Sequence, residues 1–135
     1  MKQYSLEEVL TAIKYCEQHV QKGYLYLDKK KIKISKNFKV GLRSNFKCDV
    51  CGVTLSYFTV HKENNSFYLR AHTVNERIFT IEHIVPQSVG GSNSNYNLTC
   101  TCSYCNFVWK NKFDKQLKLK VIGISKCGRY TLTKV

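Results

Sequence analysis

The first 23 residues carry apolar side chains at the spacing of an amphipathic helix. The apolar positions are Leu6, Val9, Ile13, Cys16 and Val20. Ser5 and Glu8 form a capping-box signature at the start, and Gly23 is a suitable stop. The pattern predicts one N-terminal helix that buries Cys16 in the core.

A basic segment with strand periodicity follows the helix. Residues 29–47 contain eight basic residues and no acidic one. Within this segment KIKISK alternates, so Lys31 and Lys33 would share one strand face while Ile32 and Ile34 take the other. We therefore predict a lysine-rich strand in this segment, with one face packed and the other presenting cations.

Alternating and turn-rich stretches predict the remaining elements. LSYFTVHKENNSFYLRAHTV predicts a hairpin with Asn64-Asn65 near its tip, and we interpret its His61 and His72 as packing or surface residues. RIFTIEHIV predicts a strand, PQSVGGSNSNYN a loop and CSYCNFVWKNKF the start of a short helix. The C-terminal KQLKLKVIGISKCGRYTLTKV alternates again, with Cys127 in a hairpin turn.

Composition and charge limit the function. With 135 residues and 43% hydrophobic content, the chain is one ordinary domain and not a disordered tail. It has no run of about 20 apolar residues and no secretory signal pattern, which favours a reducing cytoplasm. A formal net charge of +13 attracts polyanions, with nucleic acid as the first candidate and an anionic membrane surface as the second. The residues expected to contact phosphates are Lys29, Lys30, Lys31, Lys33, Lys118 and Lys120.

Seven cysteines in a reducing compartment indicate metal binding rather than a disulfide framework. Four of them form the pairs Cys48/Cys51 and Cys102/Cys105, and each Cys-x-x-Cys turn lets both sulfurs face one tetrahedral ion. Fifty residues separate the pairs, more than in a compact finger, but one joint site explains all four cysteines. Cys100 competes with Cys102 as a ligand, although Cys102 has the required spacing to Cys105. We predict one structural zinc that clamps the two pairs together.

Side chains suited to acid–base chemistry lie between the cysteine pairs. Glu82 and His83 are adjacent, so on a regular strand they face opposite sides, whereas a turn at the strand end would bring both to one cavity. Asn106 begins the helix after the second pair, and packing of strand on helix would bring it near Glu82. Two oxygen ligands with retained waters suit Mg²⁺. Histidine titrates near neutral pH, which makes His83 a suitable general base for water.

The segments IEHIVPQSVGG, NYNL and CSYCN resemble the HNH nuclease motif, a strand–loop–strand–helix unit also called the ββα-metal or His-Me finger. The resemblance covers about residues 78–113 and reaches back to CDVCG, which is similar to the zinc-bound subclass. The order and spacing hold from Glu-His through Gly-Gly and Asn to Cys-x-x-Cys-Asn.

The resemblance implies a role for each matching residue. His83 looks like the general base that activates water, and Glu82 looks like the acidic metal ligand, a position more often held by Asp. Asn97 matches the central Asn that ties the loop and orients the histidine. Asn106 falls at the last metal ligand, which makes the sequence an HNN variant. The catalytic ion implied is Mg²⁺ or another divalent cation such as Mn²⁺.

The resemblance also implies a fold class and an activity. The fold is a small single α+β domain: a helix and basic strand extension at 1–47, a zinc-stapled ββα-metal core at 48–113 and C-terminal strands at 114–135. The activity is metal-dependent cleavage of DNA, with RNA as the less favoured substrate, by cutting or nicking. Cleavage that is nonspecific, cleavage that is structure-selective and nicking aided by a protein partner for targeting all stay open, and no membrane partner is expected. Such small nucleases are often carried by phages or mobile elements, which would place this one in a host cytoplasm. The alternative is a zinc-stabilised nucleic-acid-binding module without cleavage.

Overall fold

The computed structural model describes the backbone of residues 1–109, 113–114, 119–124 and 130–134, and the side chains of residues 1–107. Within these ranges the chain is an α+β fold of three helices and three sheets, which confirms the predicted class. Cys127 and Lys118 lie outside the described residues.

The N-terminal helix is the one that the sequence predicts. Helix α1 spans Leu6–His19, and the Ser5 hydroxyl and the Glu8 side chain complete a capping box with each other's backbone amides. Cys16 is buried, and its thiol donates a hydrogen bond to the Gln21 carbonyl. Cys16 is therefore a core residue.

The prediction of a strand through residues 29–47 is wrong beyond Lys33. The strand ends there, and helix α2 spans Lys36–Arg43. The Ser35 hydroxyl accepts from the Phe38 amide and caps the new helix. Phe38 and Leu42, one helical turn apart, both pack on the core. Local capping and this apolar stripe therefore override the strand alternation that precedes them.

A four-stranded sheet forms one wall of the core. Its strands are β1 (Tyr24–Leu27), β2 (Lys30–Lys33), β3 (Leu55–Glu63) and β4 (Ser66–Thr73). Their spatial order is β1-β2-β4-β3, with β1 and β2 antiparallel, β2 and β4 parallel, and β3 and β4 antiparallel. Asn64 and Asn65 both have positive φ, as a tight two-residue turn requires, so the predicted hairpin tip is confirmed.

Aromatic side chains join this sheet to α2 and to the next strand along the chain, which carries Phe79. Phe46 is buried and contacts Phe38, Phe58 and Phe79, with ring centroids between 5.2 and 5.8 Å apart. A Cβ on Gly41 would lie 2.2 Å from the Phe46 ring, so only glycine permits this packing. These ring contacts hold α2 against the four-stranded sheet and against the strand that carries Phe79.

The last described segments form a hairpin, a helix and a third sheet. They are β5 (Phe79–His83), β6 (Leu98–Cys102), α3 (Ser103–Trp109), β7 (Phe113–Asp114), β8 (Leu119–Ile124) and β9 (Tyr130–Lys134). Strands β5 and β6 pair antiparallel, α3 follows β6 directly, and β7, β8 and β9 form a separate antiparallel sheet. The strand–loop–strand–helix order expected for residues 78–109 is therefore present. No helix in the described part of the chain is long and apolar enough to cross a membrane.

Candidate functional site

Four cysteines from two distant segments converge on one point. The sulfurs of Cys48, Cys51, Cys102 and Cys105 all lie within 4.8 Å of one another. Cys51 Sγ and Cys102 Sγ are 3.8 Å apart, and a tetrahedral ion with Zn–S bonds of about 2.3 Å would hold its sulfurs roughly 3.8 Å apart. The predicted grouping is confirmed, and this donor set and spacing fit Zn²⁺.

Backbone amides support the sulfurs in the way that metal-binding turns do. The Cys51 and Cys102 amides donate to Cys48 Sγ at 3.5 and 3.3 Å, and the Cys105 amide donates to Cys102 Sγ at 3.5 Å. Burial opposes ionisation of Cys48, but hydrogen bonds from the backbone amides outweigh it and lower the pKa of this thiol. Burial, followed by the hydrogen bond with Cys102, raises the pKa of Cys105. A bound divalent cation would let all four sulfurs ionise together.

Asp49 connects the first cysteine turn to β6. Its amide donates to the Cys100 carbonyl at 2.8 Å, and its carboxylate accepts from the Cys100 amide at 3.0 Å and from the Thr99 hydroxyl. Cys100 itself faces the main core, where burial raises the pKa of its thiol to about 12. Cys100 is therefore not one of the clustered sulfurs, as its spacing predicts.

Strand β5 carries Glu82 and His83 to its last two positions. Glu82 pairs with Thr99 and His83 pairs with Leu98 in an unbroken antiparallel register. Alternation along a regular strand would direct Glu82 and His83 to opposite faces, but His83 is the last residue of β5, at the point where the chain enters the loop. The chain turns only after His83, where the Ile84 amide donates to the Asn97 carbonyl at 2.8 Å.

Asn97 is buried and closes the loop that joins the two strands. Its Oδ1 accepts from the Val85 amide at 2.9 Å, and its Nδ2 donates to the carbonyls of Val85 and Ser92 at 3.2 and 2.5 Å. One amide side chain therefore satisfies one backbone amide and two backbone carbonyls of the loop. It fixes the segment immediately after His83.

Gly91 packs against the same segment. A Cβ at Gly91 would lie 1.9 Å from the Val85 carbonyl oxygen, so the loop can close only with glycine at this position. Gly90 has φ +94°, a left-handed conformation that also favours glycine. The Gly-Gly pair thus forms a sharp turn without side chains.

His83 is hydrogen-bonded within this loop. Its Nε2 lies 3.1 Å from Asn93 Oδ1, an atom that can only accept. Nε2 is therefore the donor in this contact. Lys36 of α2 donates to the Asn93 carbonyl and Arg43 donates to the Asn95 carbonyl at 3.1 Å, so α2 anchors the loop.

Sequence reasoning missed Asn93 and the part that α2 plays. Asn93 lies in a Ser- and Asn-rich loop in which no local pattern marks one amide above another. Its contact with His83 depends on how Gly91 and Asn97 close that loop. The distance of ten residues between His83 and Asn93 carries no periodic signal.

The other predicted residues take separate positions. Asn106 is half-buried on α3, a helix that packs against β5 and β6. The side chains of Lys29, Lys30, Lys31 and Lys33 are exposed. Lys120 lies in β8, paired with Phe113 and Thr133.

Comparison with known proteins identifies this segment. Residues 71–122 match the model of the HNH endonuclease family. The matched span holds the β5–β6 hairpin, its loop, α3 and the second cysteine pair. A search of the curated proteins and a search of the solved structures found no match. The resemblance seen in the sequence is thus confirmed for this part of the chain, and it indicates a nuclease domain.

Proposed function

We propose that the protein is a metal-dependent HNH endonuclease that hydrolyses DNA phosphodiester bonds. The observation that carries the proposal is the family match at residues 71–122, a span that contains every residue of the proposed catalytic site. The strand–loop–strand–helix geometry and the cysteine cluster beside it support the same function.

His83 acts as the general base in this mechanism. Its imidazole takes a proton from water, and Asn93 orients the ring through the contact at Nε2. The water then attacks phosphorus, and the expected products are a 5′-phosphate and a 3′-hydroxyl. Asn97 holds the Val85 segment next to His83, so it is a positioning residue and takes no proton itself.

Glu82 and Asn106 would hold the catalytic divalent cation. Carboxylate and amide oxygens are hard donors that suit Mg²⁺ or Mn²⁺. When bound, the cation would stabilise the negative charge that develops on the phosphate oxygens and on the leaving group. Asn106 belongs to the helix packed against the strand of Glu82, which supports a shared site.

The structural metal has a different role. A zinc ion on Cys48, Cys51, Cys102 and Cys105 would join the first cysteine turn to β6 and α3. Since α3 begins at Ser103, within this cluster, the zinc would fix the helix that carries Asn106. The two metals therefore differ in ligand chemistry, with sulfur donors for the zinc and oxygen donors for the catalytic ion.

Incubation of supercoiled plasmid with purified protein tests the function. We expect conversion to nicked or linear DNA in Mg²⁺ or Mn²⁺ and none in EDTA. Parallel reactions with Ni²⁺ and Zn²⁺ identify the preferred cation, and the ratio of nicked to linear product separates nicking from double-strand cutting. Plasmid binding without conversion in any cation would favour the zinc-stabilised binding module instead.

A further inference from the structure

The sheet face opposite the core presents an organised set of aromatic and basic side chains. On β3 and β4 the core face holds Phe58, Val60, Leu69 and Ala71. Alternation directs the intervening residues to the other side, which we call the outer face. The outer-face residues of β3 and β4 are Tyr57, Thr59, His61, Tyr68, Arg70 and His72.

These side chains are locked to one another. The Thr59 hydroxyl lies 2.6 Å from His61 Nε2 and 2.8 Å from His72 Nε2. Tyr57 stacks on His72 with centroids 4.6 Å apart, and His61 stacks on Tyr68 at 5.5 Å. Thr59 is buried beneath the rings, whereas the four rings are only half-buried. The rings therefore form a pre-ordered surface that loses little entropy when it binds a ligand.

Strands β1 and β2 extend the same face with cations. Ile32 faces the core and pairs with Phe67 of β4, so Lys31 and Lys33 lie on the outer face. Lys31 Nζ lies 4.3 Å from the centroid of the Tyr24 ring, which places this tyrosine on the same face. Both lysines are exposed.

The charged side chains on this face are mostly positive. Arg70 donates to the Tyr68 hydroxyl at 3.2 Å and lies between the two histidines in sequence and register. The four strands contain one acidic residue, Glu63, which ends β3 at the hairpin tip. Half-buried rings interleaved with cations, with the acidic residue at the edge of the sheet, complement a ligand that has flat bases and a phosphate backbone.

A cavity adjoins the face where β2 and β4 separate. These strands share the single register pair Ile32 and Phe67. A cavity of about 290 Å³ is lined by residues of β2 and β4 and by core residues behind them, with Lys33, Arg70, Phe38 and Phe79 among its lining. A planar base inserted there would meet apolar walls beside two cations.

We propose that the outer face binds single-stranded nucleic acid, with unpaired bases stacked on its tyrosine and histidine rings and phosphates held by Lys31, Lys33 and Arg70. The inference rests on the proposed function for the choice of nucleic acid as the partner. The face lies opposite the core on which Phe79 and Ile81 of β5 pack, so it is a site separate from His83. A duplex offers no free base faces, so the face prefers an unpaired strand.

Fluorescence anisotropy tests the proposal with labelled oligonucleotides of roughly 20 nucleotides, longer than the ~4–16 that one such surface covers. Single strands and the matching duplex are compared without added divalent cation, so that cleavage does not interfere. Tyr57→Leu/Tyr68→Leu should weaken single-strand binding about tenfold or more and leave duplex binding nearly unchanged. The control Tyr57→Phe/Tyr68→Phe keeps both rings and should bind the single strand like the wild type.

Substitution of the two lysines tests the phosphate contacts separately from the base stacking. Lys31→Ala/Lys33→Ala should reduce the salt dependence of single-strand binding by up to about two released counterions, while the leucine variant keeps the wild-type slope. In the wild type, the imidazole resonances of His61 and His72 should shift when the single strand is added, whereas that of His19 on α1 should not. This readout requires no variant, so it stands even if the leucine variant fails to fold.

Two results would overturn the inference. They are single-strand affinity no greater than duplex affinity, and His61 and His72 resonances that do not move at saturating single strand. If plasmid is cleaved and these results are nevertheless obtained, the outer-face inference fails and the nuclease proposal survives. If the single strand binds the outer face but plasmid is never cleaved, the nuclease proposal fails and the outer-face inference survives.

Discussion

His83 Nε2 and Asn93 Oδ1 are 3.1 Å apart, and this contact orients the imidazole of the proposed base. An amide oxygen cannot donate, so the imidazole is the donor in this contact. Asn93 is in turn held by Lys36 of α2 through its carbonyl. A helix outside the matched family segment therefore positions the proposed base.

Asn93→Ala should slow plasmid cleavage by roughly 10- to 100-fold, the range typical of partners that orient a functional histidine. Asn93→Asp should retain more activity because a carboxylate also accepts from Nε2. It should also shift the acid limb of the pH–rate profile to higher pH, since a nearby carboxylate favours the imidazolium form. Rates from pH 5 to 9 check both variants. If Asn93→Ala keeps the wild-type rate and pH profile, Asn93 does not position His83 for catalysis.

Cys48→Ser should release the structural metal and destabilise the fold, because the binding free energy of such a site is folding free energy. Elemental analysis should find one zinc per chain in the wild type and a large loss in the variant. Cys100→Ser is the matched control, since this buried thiol faces the main core, and it should keep the zinc. Folded, active protein that contains no zinc would contradict the assignment.

Glu82→Ala and Asn106→Ala should weaken binding of the catalytic cation while leaving zinc content unchanged. Raising Mg²⁺ or Mn²⁺ should therefore restore part of the cleavage rate in both variants. Titration of the cation at fixed enzyme and plasmid gives the half-saturating concentration, which should rise relative to the wild type. A lower maximal rate with an unchanged half-saturating concentration would show that neither residue holds the cation.

Local sequence signals predicted much of the fold. The Ser5–Glu8 capping box and the Asn64-Asn65 turn act over three or four residues, so sequence alone reveals them. Helix α2 was missed because the alternation of the preceding strand continues up to Ser35, where side-chain capping takes over.

Contacts between distant segments were harder to predict. The cysteine cluster could be predicted because metal binding restricts the spacing within each Cys-x-x-Cys pair. The outer face could not be predicted, since the sequence shows His61 and His72 only as isolated strand residues. Only the β3–β4 register brings both of them to Thr59. The same is true of Asn93, whose position depends on closure of the whole loop.

His61 and His72 should titrate below the ordinary histidine pKa of 6.5. Burial lowers the pKa of both imidazoles, the Arg70 charge lowers both further, and His61 lowers that of His72. Because the unfolded chain takes up these protons more readily, stability should fall as the pH drops below about 6.5. NMR titration of the imidazoles measures the effect, and Arg70→Gln should raise both pKa values. Titration of both at or above 6.5 in the wild type would contradict the described packing.

The most direct test of the nuclease account is the rate at which His83→Ala cleaves supercoiled plasmid at saturating Mg²⁺. The variant lacks only the proton acceptor, so folding, zinc content and DNA binding should match the wild type. Its cleavage rate should fall by about 10²–10⁴-fold, the usual contribution of a general base, and extra cation should not restore it. Cleavage by His83→Ala at the wild-type rate would contradict the account.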